Sequence, residues 1–178
     1  MAAPARRYDP GRRQRIIDAA IRVVGDRGIA GLSHRSAAAE ADVPLGSTTY
    51  HFKTLDDLLI AALRQANEAY APVLVFREGE DLAGALARLL GEVLDADRGR
   101  AELEYELYLA ALRRPALRPV AAEWCEAVTT ALEDHTDPLT ARALVAVMDG
   151  ISLQVLLTGT PYDEGYAREV LSRVLRPA

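Results

Sequence analysis

Apolar residues recur at helical spacing along almost the whole chain. The first predicted helix, residues 12–26, carries five of them on one stripe: Ile16, Ile17, Ala20, Ile21 and Val24. Such a stripe is typical of a helix that buries one side. We find no convincing alternation of apolar and polar residues of the kind that marks a half-buried strand. The pattern therefore predicts an all-α protein.

Glycine, proline and capping residues divide this pattern into about nine helices. Gly28 ends the first helix, because glycine tolerates left-handed dihedral angles. The residue before Pro44 is pushed out of the α region, which predicts a tight turn there. Ser33 can cap a second helix, and Thr54 with Asp57 resembles a capping box at the start of the fourth. The helices after the first are expected at about 33–41, 44–51, from 54 onward, 80–95, 99–113, 116–135, 138–158 and 163–175.

The N-terminal third has the order of elements that a helix-turn-helix requires: a longer helix, then two short helices joined by a tight turn. The second short helix must be slim and polar on one side to enter the major groove of DNA, while its other side packs on the scaffold. Gly46 inside so short a helix costs about 1 kcal/mol relative to alanine, so we expect it to allow close approach to the DNA backbone. Four residues are expected to pack inward: Ala37, Ala38, Ala41 and Val43.

The run from Arg15 to Leu63 resembles the TetR (tetracycline repressor-like) family of transcriptional regulators. The matching features are an Ala-Ala pair in the first helix, Gly28, the turn Val43-x-x-Gly46-Ser47, and the segment Tyr50-His51-Phe52-Lys53 before an acidic, leucine-rich helix. The rest of the chain resembles the family only in its helical pattern and its length. The resemblance implies a DNA-binding head in residues 1–53 and a helical dimerisation and effector-binding domain in residues 54–178.

The resemblance also implies roles for individual residues of the head. At the start of the second helix, near its positive end, contacts to phosphates or base edges are expected from Ser33, His34 and Arg35. The recognition surface is expected to comprise Gly46, Ser47, Thr49, Tyr50 and His51. Lys53, the only lysine in the chain, matches a phosphate-contacting position. The alternative for Lys53 is an ordinary exposed cation.

The chain departs from the family pattern in ways that lower the charge of the recognition helix. The family often has Ser-Lys where this chain has Pro44-Leu45, and a second lysine where Leu55 stands. We therefore expect a flexible basic N-terminal arm and the start of the first helix to supply electrostatic attraction, through Arg6, Arg7, Arg12 and Arg13. Removal of residues 1–9 is expected to weaken operator binding and to flatten its salt dependence.

The charge distribution agrees with a basic head on an acidic body. Residues 1–53 carry nine Arg or Lys and five Asp or Glu, a net charge of +4. Residues 54–178 carry 12 and 21, a net charge of -9, and the two parts together give the formal net charge of -5. Positive charge concentrated at one end attracts phosphates even when the whole chain is acidic. Chance clustering of charge is the alternative.

The segment from Leu139 to Leu157 is apolar on more than one face, so we expect it to be buried on two sides. The resemblance supplies the partner, because the last two long helices of the family form a four-helix dimer interface. The residues expected at this interface are Ala143, Gly150, Leu153 and Leu157. A homodimer would read two half-sites about 34 Å apart, and therefore a palindromic operator. The alternative is a central core helix of a monomer.

A pocket for a small-molecule effector is expected among the middle helices, to which Glu104 and four other residues bring acidic, aromatic and adaptable side chains. Apolar pockets with few polar groups bind small organic molecules. The residues expected to bind the effector are Tyr105, Tyr108, Trp124 and Met148. The alternative is that these residues are ordinary core. The resemblance favours a repressor that the effector releases by stabilising a head separation that does not match the DNA.

Other functional classes find little support in the sequence. The three histidines lie far apart without an HExxH spacing, and no glycine-rich phosphate loop or nucleophile elbow is present. We therefore expect neither an enzyme nor a metal or cofactor. Acidic pairs at i,i+4 spacing, such as Glu102 and Glu106, are expected to form a solvated face. A helical ligand- or protein-binding module with a degenerate helix-turn-helix is the second candidate.

The same sequence predicts a cytoplasmic protein. The single Cys125 excludes an intramolecular disulfide and fits a reducing cytosol, where it is expected to be a small buried residue. The N-terminus has no apolar core of a signal peptide. The most apolar stretch contains Arg142, Asp149 and Gln154, which argues against a membrane span.

Overall fold

A computed structural model describes residues 9–70, 81–96 and 98–176 of the chain. Within these residues it contains nine α-helices, short 3-10 turns and no strand, which confirms the all-α prediction. The helices are α1 (Arg12–Arg27), α2 (His34–Glu40), α3 (Leu45–His51), α4 (Leu55–Tyr70), α5 (Leu82–Ala96), α6 (Arg98–Leu109), α7 (Arg118–Glu133), α8 (Pro138–Thr158) and α9 (Glu164–Leu175).

Reciprocal capping boxes fix the starts of α2 and α4. The Ser36 amide donates to the Ser33 hydroxyl at 3.0 Å, and the Ser33 amide donates to the Ser36 hydroxyl at 2.8 Å. At α4 the Asp57 amide donates to the Thr54 hydroxyl at 3.1 Å, and the Thr54 amide donates to the Asp57 carboxylate at 2.8 Å. These bonds satisfy helix donors that have no partner inside the helix.

The turn after α1 depends on glycine, but not through the left-handed helical conformation. Gly28 has φ +68° and ψ 173°, so its φ is positive while its ψ is extended. Its amide donates to the Val24 carbonyl at 2.8 Å and closes α1. A 3-10 turn, Ile29–Gly31, then leads to the cap of α2.

Several predicted boundaries differ from the structure by one to four residues. Pro44 caps α3 from outside the helix, with φ -58° and ψ 141°, instead of being its first residue. Gly99 lies inside α6, which begins at Arg98 and ends at Leu109, so the predicted continuation to 113 is wrong. A 3-10 turn occupies Ala110–Leu112 instead. Such shifts are ordinary at helix ends, which fray and tighten.

Two large apolar clusters and a small third one around Leu94, Ala101 and Val155 form the core of the described residues. The first joins α1 to α4 and α6 and includes Ile16, Leu58 and Leu107, each fully buried. It therefore contains residues from both sides of the boundary expected at residues 53 and 54. The second cluster joins α5, α7, α8 and α9 through residues such as Leu86 and Leu144. Helix α4 thus packs directly on α1 of the head while it belongs in sequence to the body.

Helix α8 buries one side and leaves the other partly open. Leu144 and Ile151 lie in the second cluster, whereas Leu139 and Leu157 are 77% and 81% exposed. By length and composition alone α8 is the one helix among the described residues that could cross a membrane. Core helices of soluble proteins pass the same test, and one side of α8 packs on four other helices of the chain.

Candidate DNA-binding surface and ligand cavity

Helix α3 presents a polar, weakly charged surface. Thr48 is fully buried, and its hydroxyl donates to the Leu45 carbonyl at 2.7 Å, so this side of α3 packs on the head. The opposite side exposes Gly46, Thr49 and Tyr50, while Ser47 and His51 are half-buried. The Tyr50 ring is 75% exposed, and its edge meets the His51 ring at a centroid distance of 5.1 Å. The predicted recognition residues therefore lie on one short helix whose outward side is open.

Residues at the start of α2 lie beside this surface. The α2 and α3 helices meet where the Thr48 hydroxyl approaches the His34 carbonyl at 3.4 Å. Arg35 is exposed and His34 is half-buried. The Ser33 hydroxyl already accepts a hydrogen bond from the Ser36 amide in the capping box. A contact from this hydroxyl to DNA would either replace that bond or be made in addition to it. Lys53 is exposed just after α3.

The basic residues near the N-terminus divide into two groups. Arg6 and Arg7, which the sequence assigns to the DNA-binding arm, lie outside the described residues. Arg13 is described, and its guanidinium lies over the Phe52 ring at 5.2 Å from the centroid. This cation–π contact holds a positive charge close to the C-terminal end of α3.

An interior cavity of about 110 Å³ lies among α4, α5, α6, α7 and α8. All four residues predicted to bind an effector line it: Tyr105, Tyr108, Trp124 and Met148. The apolar part of its wall includes Leu63, Ala66, Leu89, Leu90, Val93, Val128 and Val145. The structure thus brings together side chains from five helices that the sequence could place only on their separate helices.

Two carboxylates lie in the cavity wall beside the aromatic rings. The Tyr105 hydroxyl donates to the Asp149 carboxylate at 3.1 Å. Glu104 is 7% exposed, and its carboxylate accepts from the Arg100 guanidinium at 2.9 Å. Asp149 and the polar residues Asn67 and Ser152 were not among the predicted site residues. The available signal for Asp149 was an acidic side chain next to Met148 in the most apolar helix of the chain.

Burial alters the acidity of the groups at the cavity. It raises the pKa of Asp149 above its ordinary value, and the hydrogen bond from Tyr105 opposes this shift only in part. Burial also raises the pKa of Tyr105, and the negative charge of Asp149 adds to the effect. The pKa of Tyr108 is raised by burial and by the nearby Cys125 thiol, whose sulfur lies 2.9 Å from the Tyr108 hydroxyl. Both tyrosines therefore stay neutral.

The cavity wall combines aromatic faces with carboxylates, and its lining includes no Lys or Arg side chain among the described residues. A buried carboxylate is stabilised by a cation that takes the place of water. Aromatic faces attract the same cations through their quadrupoles. The arrangement is therefore suited to an apolar molecule that carries positive charge.

The expectation that Glu106 belongs to a solvated face is wrong. Glu102 follows that expectation, since it pairs on the surface with Arg98 at 3.0 Å. Glu106 instead accepts a hydrogen bond from the backbone amide of Ile29 at 2.6 Å. It therefore connects α6 to the turn that follows α1.

The predicted dimer residues form one stripe on α8. Ala143, Gly150 and Leu153 are half-buried, and Leu157 is almost fully exposed. Spacings of three, four and seven residues place them on the same side of the helix. Gly150 has open space where a side chain would be. The stripe is an apolar surface that the described part of a single chain leaves incompletely covered.

Comparison with known proteins gives consistent matches over most of the chain. The model of the family "Tetracyclin repressor-like, C-terminal domain" matches residues 77–177. The crystal structure of the multidrug binding protein EbrR complexed with imidazole is 72% identical, covers 96% of this chain and 98% of that chain, and has a TM-score of 0.90. A TetR family member from Streptomyces coelicolor A3 is 71% identical, covers 95% of this chain and all of that chain, and has a TM-score of 0.86.

Curated relatives are more distant but have related names. The nicotine-responsive transcriptional repressor HdnoR of Paenarthrobacter nicotinovorans is 30% identical over 162 residues, which cover 80% of this chain and 82% of that protein. The transcriptional regulator BetI of Burkholderia thailandensis is 26% identical over 85% of both proteins.

Proposed function

Since the chain belongs to the TetR family, it is a DNA-binding transcriptional regulator and not an enzyme, and we propose that it is a repressor released from its operator by aromatic cations. The observation that supports aromatic cations as effectors is the composition of the cavity wall. Its carboxylates, Asp149 and Glu104, line the same cavity as the rings of Tyr105, Tyr108 and Trp124. Related EbrR structures contain ethidium, proflavin and malachite green. These dyes share an extended aromatic system with positive charge.

Within this proposal Asp149 is the counter-ion of the effector. Its half-buried carboxylate has one hydrogen bond from Tyr105, and ionising it without a nearby cation is unfavourable. Glu104 already has the guanidinium of Arg100 at 2.9 Å. A bound cation therefore gains more from Asp149 than from Glu104. The rings of Tyr108 and Trp124 would stack on or border the aromatic part of the effector.

The operator contacts are proposed for the open side of the head. The recognition surface would comprise Gly46, Ser47, Thr49, Tyr50 and His51, with Ser33, His34 and Arg35 beside it and Lys53 on a phosphate. The basic residues Arg6 and Arg7 would add electrostatic attraction. Because α3 itself carries no Lys or Arg, base recognition would rely on hydroxyl, ring and backbone groups.

A homodimer is proposed through the stripe on α8. Two copies of α8 that meet along Ala143, Gly150, Leu153 and Leu157 would cover the apolar side that one chain leaves open. The two heads would then bind half-sites of a palindromic operator. In this arrangement residues 1–53 act as the DNA-binding domain and residues 54–178 as the dimerisation and effector domain, in a cytoplasmic protein.

Release of DNA is proposed to follow from the position of α4. Leu63, Ala66 and Asn67 of α4 line the cavity, and Leu58 of the same helix lies in the cluster with α1. An effector that fits the cavity better with α4 displaced shifts the heads away from the spacing that DNA requires.

The test is binding of a fluorescein-labelled duplex from the region upstream of the chain's own coding sequence, with and without ethidium. We expect binding without ethidium and a loss of affinity of about 5- to 150-fold at saturating ethidium. Inorganic ammonium at equal concentration is the control for charge alone. D149N, which lacks the cavity carboxylate and keeps the proposed DNA-binding surface, is the control for ethidium that binds the duplex itself, and it should stay on the duplex at ethidium concentrations that release the wild type. Tight DNA binding that ethidium does not change would contradict the proposed effector class.

A further inference from the structure

One polar contact between helix α6 and the head is made by the half-buried carboxylate of Glu106. The amide of Ile29, the first residue of the 3-10 turn after α1, donates to the Glu106 carboxylate at 2.6 Å. A helical turn leaves its first amides without partners inside the turn, so this donor needs an acceptor from elsewhere. Glu106 provides it from 77 positions away in the sequence.

The backbone at Gly28 is shaped for this contact. An added Cβ at Gly28 would lie 3.1 Å from the nearer carboxylate oxygen of Glu106, closer than a side chain ordinarily allows. The φ of +68° at the same residue further favours glycine. The turn and the carboxylate therefore fit together only because position 28 lacks a side chain.

Neighbouring residues of α6 face two different parts of the molecule. Tyr105 lines the cavity and Glu106 reaches the head, and successive residues differ by about 100° around a helix axis. Leu107, the next residue, is fully buried in the cluster that joins α6 to α1 and α4. A shift or rotation of α6 that makes room at Tyr105 therefore also moves the Glu106 carboxylate.

We propose that the Glu106–Ile29 hydrogen bond is a contact through which occupation of the cavity changes the position of the DNA-reading helices, in addition to the displacement of α4. This inference rests on the proposed effector function of the cavity. Formed, the bond holds the turn that ends at Leu32, directly before the cap of α2, and so holds α2 and α3 in the DNA-binding position. A hydrogen bond of 2.6 Å is lost when its atoms separate by about 1 Å, so a small movement of α6 releases the turn. Glu106 is a positioning residue and touches neither effector nor DNA.

The head has other attachments that keep it folded when this bond is removed. Helix α4 packs on α1 of the head, and the first turn of α4 is held in turn by the ion pair of Asp56 with Arg114 at 2.5 Å. The apolar cluster between α1 and α4 is unaffected by position 106. Substitution of Glu106 therefore changes the position of the 3-10 turn after α1, while the packing of α1 on α4 keeps the head folded.

The first experiment compares E106A, E106Q and E102A with the wild type. The readout is the ratio of the duplex Kd with saturating ethidium to the Kd without it, together with the ethidium Kd of the DNA-free protein. We expect E106A to bind the duplex more weakly without ethidium, so that the ratio falls to within about threefold of one. E106Q keeps an oxygen acceptor and retains at least half of the wild-type ratio. E102A removes the same group one turn earlier on the surface and leaves the ratio unchanged.

Ethidium affinity separates this effect from damage to the cavity. If ethidium breaks the Glu106–Ile29 bond, E106A binds ethidium at least as tightly as the wild type, since it has no bond to break. Retention of the full wild-type ratio in E106A overturns the proposal. If ethidium leaves wild-type DNA affinity unchanged, the effector function fails, and this inference fails with it.

The second experiment follows the Ile29 amide directly by hydrogen exchange of the wild-type protein without DNA. We expect its exchange to accelerate at least tenfold when ethidium is added, while the amide of Gly28, which bonds within the end of α1, changes less. In E106A the Ile29 amide exchanges rapidly with and without ethidium. An Ile29 amide whose slow exchange ethidium does not change overturns the proposal even if ethidium releases DNA.

Discussion

The Tyr105 hydroxyl donates a hydrogen bond of 3.1 Å to the Asp149 carboxylate and so joins α6 to α8 across the wall of the cavity. Asp149 is half-buried, and burial raises its pKa. The bond compensates part of the cost of burying the charge, and among the described residues no Lys or Arg side chain lines the cavity beside this carboxylate. The pair therefore combines a structural role with a preference for a positively charged occupant.

Replacement of Asp149 by Asn is expected to weaken ethidium binding by about tenfold or more. The amide keeps an oxygen that can accept from Tyr105, so the geometry of the wall is retained while its negative charge is removed. A bound cation then loses a charge-assisted partner. The measurement is ethidium fluorescence titration, with D134N as the control, because Asp134 is an exposed residue outside the cavity lining. Equal affinity of D149N and the wild type would remove Asp149 from the effector site.

The same substitution is expected to stabilise the chain against unfolding at neutral pH. The native pKa of Asp149 lies above its ordinary value of 3.8, so between these two values the native state binds more protons than the unfolded state. Wild-type stability therefore decreases as pH rises through this window, and the loss persists above it. D149N lacks this titration. Urea unfolding at a series of pH values should give a D149N advantage at pH 7 that shrinks as pH falls toward 3.8; an advantage that grows instead contradicts the assignment.

The sequence predicted those parts of the molecule that depend on local signals. The capping boxes at Ser33 and Thr54 involve partners three residues away, and the stripe on α1 repeats within a few turns, so each can be read from a short segment. The same holds for Gly28 as a helix end, although its extended ψ was not expected.

Contacts between residues that are far apart along the chain could not be predicted from the sequence. The pairing of Glu106 with Ile29 joins residues 77 positions apart. The i,i+4 spacing of Glu102 and Glu106 does not indicate whether either carboxylate faces solvent or the head. Asp149 lies on a helix that is apolar on more than one face, so periodicity cannot say which side faces the cavity. By contrast, Tyr105, Tyr108, Trp124 and Met148 were assigned to one pocket from residue type and family resemblance, and the structure places them around one cavity.

Lys53 is expected to contribute to DNA affinity through charge. Its side chain is exposed immediately after α3, where a phosphate of the DNA backbone would lie in the proposed complex. K53A should weaken duplex binding and reduce the slope of log K against log salt by about one for each protomer bound. K53R keeps the charge and should retain the slope. A K53A slope equal to that of the wild type would mean that Lys53 is an ordinary exposed cation.

Ala143→Glu is expected to convert the proposed dimer to monomers. Ala143 is the half-buried first member of the stripe on α8, and burial of an unpaired carboxylate between two apolar helices is strongly unfavourable. The matched control is A127E, which introduces the same charge on the exposed side of α7. Light scattering at about 10 μM should give the dimer mass for the wild type and A127E, and the monomer mass for A143E. A monomeric wild type would reject the proposed interface.

Gly28→Ala and Gly25→Ala are expected to have opposite effects on the free energy of unfolding. Gly28 has φ +68° and the Glu106 carboxylate 3.1 Å from the place of a new Cβ, so alanine there should destabilise the chain by about 1–3 kcal/mol. Gly25 lies within α1, and nothing stands within 4 Å of an added Cβ, so alanine should stabilise the helix by about 0.5–1 kcal/mol. Urea unfolding of both variants at neutral pH measures the two changes against one wild type. Both substitutions add the same methyl group, so an unaffected G28A would show that the turn after α1 does not require the backbone conformation seen at Gly28. A destabilised G25A would contradict the open surroundings of position 25.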